Sequence, residues 1–384
     1  MVIRSRRSSL NKLCVVCTLL MCLTTIVNIV YIARGSYGGQ NTDQDGSSKN
    51  DIQSNKQINI TKKKSEPFVE IFELFVYSFG QHYVQPLEEK TNFSSCPAIP
   101  PDLLGPVAIP PLVANFSLIH QSSYHPQVQL GGLYRPTSCR ARHKVAIIVP
   151  YRDRYEILKH FLFHTHQFLQ RQQLDYRIYV CEQAFTKTFN KGIVMNGCFK
   201  EILQLEPDTR CFIMHDVDLL LIDDRNMYTC PKYPRHLSVA IDKFHFYLPY
   251  AELVGGVLGT PSKKNKLCIS NHFLFVLAMR REHYLLVNGY STNYWGWGGE
   301  DDDMHARIMK KNLILERPPA GIARYKMLKH SHQKLNPARM NVLRTAHTRI
   351  DSDGVNNVKY QLLNTTLYHL YTHFLIDVGE QPKS

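Results

Sequence analysis

Tryptophan is nearly absent from this chain: 384 residues contain two. Both fall within Trp295-Gly296-Trp297-Gly298-Gly299-Glu300-Asp301-Asp302-Asp303. Other shortages narrow the field. No internal repeat is visible, which excludes solenoids and propellers. The cysteines and histidines never fall into the closely paired pattern of a zinc site. No basic helix with interleaved aromatics stands out, so the net charge of +14 does not point to nucleic acid. Part of that charge sits in Arg4, Arg6, Arg7, Lys12 and Lys62-Lys63-Lys64, and a phosphate-bearing small molecule stays open as its partner.

Long charge-free apolar runs are equally scarce, and Leu13 to Ala33 is the clear case. Roughly 20 apolar residues span a bilayer core, whereas the apolar part of a cleaved signal peptide is about 7–15 residues long. Four basic residues precede the run and only Arg34 follows it closely, so the N-terminus is expected in the cytosol and the bulk of the chain across the membrane. The expected organisation is a cytoplasmic tail (1–12), a signal anchor (13–33), a luminal stem (34–95) and a catalytic domain (96–384). Asn59, Asn92, Asn115 and Asn364 each open a glycosylation sequon, and cysteines outside the anchor suit a disulfide-permissive lumen.

Hydrophobic content of 44% implies a globular body. The stem from Gly35 to about Pro67 is polar and flexible in composition, Phe68 to Phe79 suggests a short helix, and Cys96 to His143 is proline-rich and irregular. From His143 an α/β pattern begins. Val145 to Val149 is an apolar run ended by Pro150, read as a buried parallel strand. Glu156 to Gln170 has helical spacing; Tyr176 to Val180 is a second strand, Ala184 to Leu203 holds a helix, and Cys211 to His215 is a third strand. A mostly parallel central sheet with crossover helices follows, with ligands expected beyond the carboxyl ends of its strands.

The segment from Trp295 to Asp303 makes little sense as a packing element, because crowded acids repel one another and glycines cost entropy where structure is fixed. A loop that approaches a polar ligand, stacks an aromatic on it and offers a base explains the composition. Solvated acidic faces and glycine-rich turns are the bland alternative. Asp216-Val217-Asp218 follows the third strand. If extended, it places two carboxylates on one face, suited to a divalent metal and a sugar.

These blocks carry a resemblance. His143 to Arg152, Gln170 to Tyr176, Phe189-Asn190-Lys191, Asp216-Val217-Asp218, Val239 to Phe244, Tyr294 to Asp303 and Arg344 to Thr348 occur in order. Together they resemble the catalytic region of the β-1,4-galactosyltransferases, Golgi enzymes with a GT-A-like nucleotide-sugar domain. The resemblance implies that Pro150, Tyr151, Arg152 and Arg154 cradle a uridine nucleotide, with Phe189, Lys191, Val217, Asp218, Lys243, Leu253, Trp297 and His330 completing the donor site. It implies Asp218, Met327 and His330 as ligands of Mn2+, although a thioether is a soft partner for that ion. It makes Asp301 the general base, and Gly299, Glu300, Asp301, Asp302, Arg339, Met340 and Leu343 the acceptor site. It pairs Cys96 with Cys139 and Cys211 with Cys230. The implied reaction is inverting transfer of galactose or N-acetylgalactosamine from a UDP-sugar to the 4-hydroxyl of terminal N-acetylglucosamine, by a single-pass type II Golgi membrane protein.

Three departures stand out. Lys191 replaces the family's usual arginine and loses its bidentate fork. Leu253 replaces the tyrosine of galactose-using members; smaller aliphatic residues accompany N-acetylgalactosamine donors. Residues Gly259 to Leu277 form an atypical insertion between Gly255-Gly256-Val257 and a helix expected over Ala278 to Tyr284. It reads either as a surface loop or as an unspliced intron carried into the protein. The rival functions are a carbohydrate-binding membrane protein without turnover, a metal-dependent luminal hydrolase and a nucleic-acid binder.

Overall fold

The structure is a computed structural model that describes residues 93–109, 117–246, 276–330 and 336–382. The expected tail, anchor, most of the stem, the helix at Phe68 to Phe79, Leu253, residues 259–275 and the sequons at Asn59, Asn92 and Asn115 lie outside the described residues. No helix among the described residues is long and apolar enough to cross a membrane.

After the short helix α1 (Leu118–Ser122) and strand β1 (Leu133–Tyr134), the domain alternates strand and helix: β2 (Lys144–Tyr151), α2 (Tyr155–Arg171), β3 (Asp175–Gln183), α3 (Lys191–Leu205) and β4 (Cys211–His215). β2 is buried along almost its whole length. Val145, Ile147 and Val149 pack with Phe161 and Leu162 of α2, while Ala146 and Ile148 pack with Val194 and Phe199 of α3. Covering both faces explains why the strand reads as a continuous apolar run. It extends one residue past Pro150, which lies inside the strand opposite Cys181 and does not end it.

The sheet corrects the expectation of a mostly parallel arrangement. Its order is β10-β11-β3-β2-β4-β8-β6, where β6 is Arg235–His236, β8 Val276–Arg280, β10 Gln361–Leu367 and β11 Thr372–Asp377. The three pairings among β11, β3, β2 and β4 are parallel. The flanking pairs β10/β11, β4/β8 and β6/β8 are antiparallel, and β1 runs antiparallel beside the start of β3. A smaller sheet joins β5 (Leu219–Leu221), β9 (Arg324–Met327) and β7 (Ala240–Ile241).

β8 overturns two further expectations. Ala278 to Arg280 is strand and not helix, and helix α4 spans only Arg281–Leu286. Val276 and Leu277, assigned above to the insertion, are fully buried and pair with His215 and Met214. Helices α5 (Glu300–Lys310), α6 (Arg339–Arg344) and α7 (Ala346–Arg349) complete the domain. Asn364 is exposed on β10, with its amide donating to Thr366 of the same sequon.

Both disulfides implied above are present, Cys96–Cys139 and Cys211–Cys230. A third, Cys181–Cys198, ties β3 to α3 and was not expected.

Candidate functional site

The carboxyl ends of the parallel strands deliver most of the implied residues. At the end of β2, Tyr151 is buried and its hydroxyl accepts from the Arg154 amide at 3.2 Å. Arg152 donates to the Lys187 carbonyl at 2.5 Å, and its guanidinium lies 5.1 Å from the Phe189 ring centre. Arg152 and Phe189 therefore form one cation–π unit at the strand end. Lys243 is exposed on the short 3-10 turn after β7, whose Asp242 accepts from the Met327 amide.

Asp216-Val217-Asp218 follows β4 as a turn, closed by the Leu219 amide on the Asp216 carbonyl, so the extended reading is corrected. The turn aims the two carboxylates at different partners. Asp218 Oδ2 lies 2.7 Å from His330 Nε2, and the Leu328 amide donates to the Asp218 carbonyl. Burial pushes the Asp218 carboxyl up, but the His330 hydrogen bond and charge outweigh it and hold the group below the usual range. Leu219 pairs with Met327 in the small sheet, which brings Met327 to the same corner. An imidazole and a carboxylate converging on one point, with a thioether beside them, fit a divalent ion that exchanges for their mutual hydrogen bond.

The Trp295 to Asp303 segment turns out to be partly a packing element. Trp295 and Asp303 are buried, whereas Trp297 is 39% exposed. Tyr294 and Arg349 both bond Asp303 Oδ2, at 2.9 and 3.1 Å, and Arg307 bonds the other oxygen. One of the four acids is thus a structural anchor. The other three open helix α5, where carboxylates suit the partial positive charge of a helix N-terminus. Gly299 precedes them at φ +101°, and a Cβ there would meet Tyr294 at 2.5 Å. Only glycine fits that joint.

The acceptor-side residues gather around this loop. The Arg339 guanidinium stands 5.8 Å from the Trp297 ring, and the Asn336 amide donates to the Trp297 carbonyl. Met340 and Leu343 are half-buried on α6, and Asp302 is half-buried on α5. Glu300 Oε2, Tyr290 Oη and Arg339 Nη1 are buried with no hydrogen-bond partner among the described residues. Buried polar atoms are rarely left so, and sugar hydroxyls are suitable partners.

Lys191, the first residue of α3, does not stand free for phosphate. Its Nζ lies 3.0 Å from Asp216, 3.1 Å from Asp301 and 3.5 Å from Glu300. Burial pushes the Asp301 carboxyl well above the usual range; Lys191 pulls it back, and Glu300 and Asp216 push it further up. Burial works against the Lys191 ammonium, yet Asp216, Asp301 and Glu300 together keep it well above its ordinary value. Tyr290 and the Lys191 contacts went unread in the sequence, where Asp216 was read only as one of a carboxylate pair. The only signal for them was the lysine in place of arginine.

The profile for the N-terminal region of glycosyl transferase group 7 matches residues 96–231, and that for the N-terminal domain of galactosyltransferase matches 259–331. The chain is 40% identical over 301 residues to Beta-1,4-galactosyltransferase 1 of Mus musculus, covering 77% of this chain and 70% of that one. This chain belongs to the β-1,4-galactosyltransferase family. The corresponding Homo sapiens enzyme is 41% identical over 75% of this chain and 68% of its own length. Beta-1,4-galactosyltransferase 3 of Bos taurus is 39% identical over 75% and 68%. Among solved structures, the catalytic domain of Drosophila beta1,4galactosyltransferase 7 in complex with xylobiose aligns at 27% identity and a TM-score of 0.48, over 62% of this chain and 94% of that chain.

Proposed function

We propose that this protein transfers galactose or N-acetylgalactosamine from a UDP-sugar to the 4-hydroxyl of terminal N-acetylglucosamine, with inversion, on a GT-A-like domain. One observation carries the reading. The Asp216–Asp218 turn, which offers Asp218 to a metal, and helix α5, which offers the base Asp301, meet at a single ammonium, Lys191. Donor and acceptor machinery therefore share one centre.

In this reading Asp218, His330 and Met327 hold Mn2+. When bound, that ion neutralises charge building on the departing diphosphate. Arg152, Arg154 and Lys243 supply further positive charge, and Tyr151, Val217 and Phe189 form the apolar wall for the nucleotide base. Asp301 takes the proton from the acceptor 4-hydroxyl as its oxygen bonds to the anomeric carbon and the bond to UDP breaks. Glu300, whose Oε2 is buried and unpartnered, receives sugar hydroxyls together with Asp302. Trp297 covers a sugar face, and Arg339, Met340 and Leu343 hold the N-acetyl group.

Leu253 supports an N-acetylgalactosamine donor, since a smaller side chain leaves room at the sugar's second carbon. The uncharged Leu13 to Ala33 run with its preceding basic residues, the sequons and the three disulfides support a Golgi signal-anchored protein whose catalytic domain lies in the lumen. The test incubates the protein with an N-acetylglucosamine-terminated acceptor, Mn2+ and each UDP-hexose, followed by linkage analysis. A β-1,4-linked product is expected, and Leu253→Tyr should shift donor preference toward galactose. Glycan binding without product from any UDP-hexose would instead indicate a binding protein.

A further inference from the structure

The platform beneath Lys191 is more constrained than a surface phosphate contact needs. Asn190, fully buried, caps α3 by accepting from the Ile193 amide at 2.9 Å. Its own amide group donates to the Thr292 carbonyl, in the segment that leads to the tryptophan loop. Gln183 at the end of β3 accepts from the Asn190 backbone amide at 2.8 Å and donates to the Thr188 carbonyl at 3.0 Å. Gly192 lies so close to the neighbouring chain that an added Cβ would stand 1.9 Å from the Ser291 carbonyl oxygen. About two helical turns further on, the Cys181–Cys198 bridge fixes α3 to β3. The result is a helix start held from four sides, with its first side chain 12% exposed and turned into three carboxylates. Such support is what a group needs when its placement must hold within a fraction of an ångström.

We infer that Lys191 is a positioning residue for the general base, its ammonium orienting Asp301 and offsetting the crowded negative charge of Asp216 and Glu300. The inference rests on Asp301 being the base, as proposed above. It assigns Lys191 a different part from the donor contact implied by family resemblance. Both Asp301 oxygens lie within reach of Nζ, at 3.1 and 3.3 Å, so the ammonium fixes the carboxylate plane as well as its charge. Among the described residues, the charged and titratable groups facing Asp301 are Lys191 from α3, Asp216 from the turn after β4, Glu300 beside it on α5, and the Tyr290 phenol from the segment before the tryptophan loop. Three carboxylates then share one cation. Without it, at least one of them must take up a proton or leave the cluster, because like charges this close cannot all stay ionised in a buried site. Asp301, the most buried of the three side chains, is the one that would protonate and lose its function as a base. The lysine also suits the geometry. A compact ammonium with three donors can serve three carboxylates at once, whereas a planar guanidinium best serves one or two.

The experiment compares wild type, Lys191→Met and Lys191→Arg as full chains, with Mn2+, a UDP-hexose and N-acetylglucosamine, and follows kcat/KM for the acceptor against pH. In Lys191→Met, activity should fall on the order of 10²-fold near neutral pH, and the acidic limb of the profile should move to higher pH. Lys191→Arg should return that limb toward wild type. Should Lys191→Met fail to accumulate, Lys191→Gln keeps a hydrogen-bond donor while removing the charge, and gives the same readout. An unmoved acidic limb, with only the KM for the UDP-sugar raised, would overturn the inference and leave Lys191 as a phosphate contact. A wild-type protein inactive with every donor would sink the base assignment itself, an outcome distinct from an active enzyme whose limb does not move.

Discussion

Asp301 sits among groups that pull its proton affinity both ways, and burial wins. A base held above the ordinary carboxylate range is better matched to near-neutral chemistry than a free aspartate. Asp301→Asn keeps the shape and removes the base. Its kcat should fall by about 10²–10⁴-fold while the melting temperature stays within a few degrees. A rate near wild type in Asp301→Asn would remove Asp301 from the chemistry. Arg307 makes a different case, since its role is structural. It is fully buried, bonded to Asp303 and to the Asp353 carbonyl at 2.7 Å, and Arg349 joins the same pair of acids. Removing one partner of a buried ionic cluster costs about 3–5 kcal/mol. Arg307→Leu should therefore lower the urea midpoint by a corresponding amount, and an unchanged midpoint would show the cluster to be dispensable.

Among elements, legibility followed from how far each signal was local. β2 and β4 were plain in the sequence because strands buried on both faces are largely apolar, and β3 showed through its aromatic and β-branched Tyr176 to Val180 stretch. Helix α2 was plain from its spacing. β8 was misread because Ala278-Met279-Arg280-Arg281-Glu282 carries good helix formers; its strand state comes from pairing with β4, a contact no local pattern reports. The antiparallel flanks were invisible for the same reason. In the candidate site, the acids and tryptophans announced themselves by composition, but which acid did what could not be read. Asp303 is bonded within the scaffold and Lys191 stands among the acids, and both placements depend on partners distant in sequence. The joint before α5 gives a prediction at this scale. Gly299→Ala places a methyl at φ +101° against Tyr294 and should destabilise by more than about 1 kcal/mol while lowering acceptor affinity. Wild-type stability and acceptor KM in that variant would refute the close fit.

Over the whole molecule, buried histidines set the response to acid. Burial pushes His166 down to about 3, and His125 and His164 to about 4, against 6.5 when exposed. Burial and the neighbouring His125 keep His166 neutral, against the pull of its hydrogen bond to the Leu370 carbonyl at 2.8 Å; its other ring nitrogen lies 2.8 Å from the Tyr176 hydroxyl. The unfolded chain thus takes up protons below about pH 6.5 that the folded chain refuses, so stability is full above that pH and declines toward pH 4. Asp301, held high, acts with the opposite sign, and a His166→Asn comparison isolates the share of that one histidine. Denaturant melts at pH 7.5 and 5 should show the loss in wild type and a shallower one in His166→Asn; a flat wild-type profile would contradict the linkage.

The burial of Val276 and Leu277 in β8 has an outcome for how the gene is read. Val257-Leu258, just before the atypical stretch, repeats the same two letters. Excising 259–277 therefore rejoins Val257-Leu258 to Ala278-Met279, and the five letters of β8 are spelled identically in the long and the shortened chain. A message lacking those codons would still spell the strand that pairs with β4, so a sequence for β8 exists with or without the stretch.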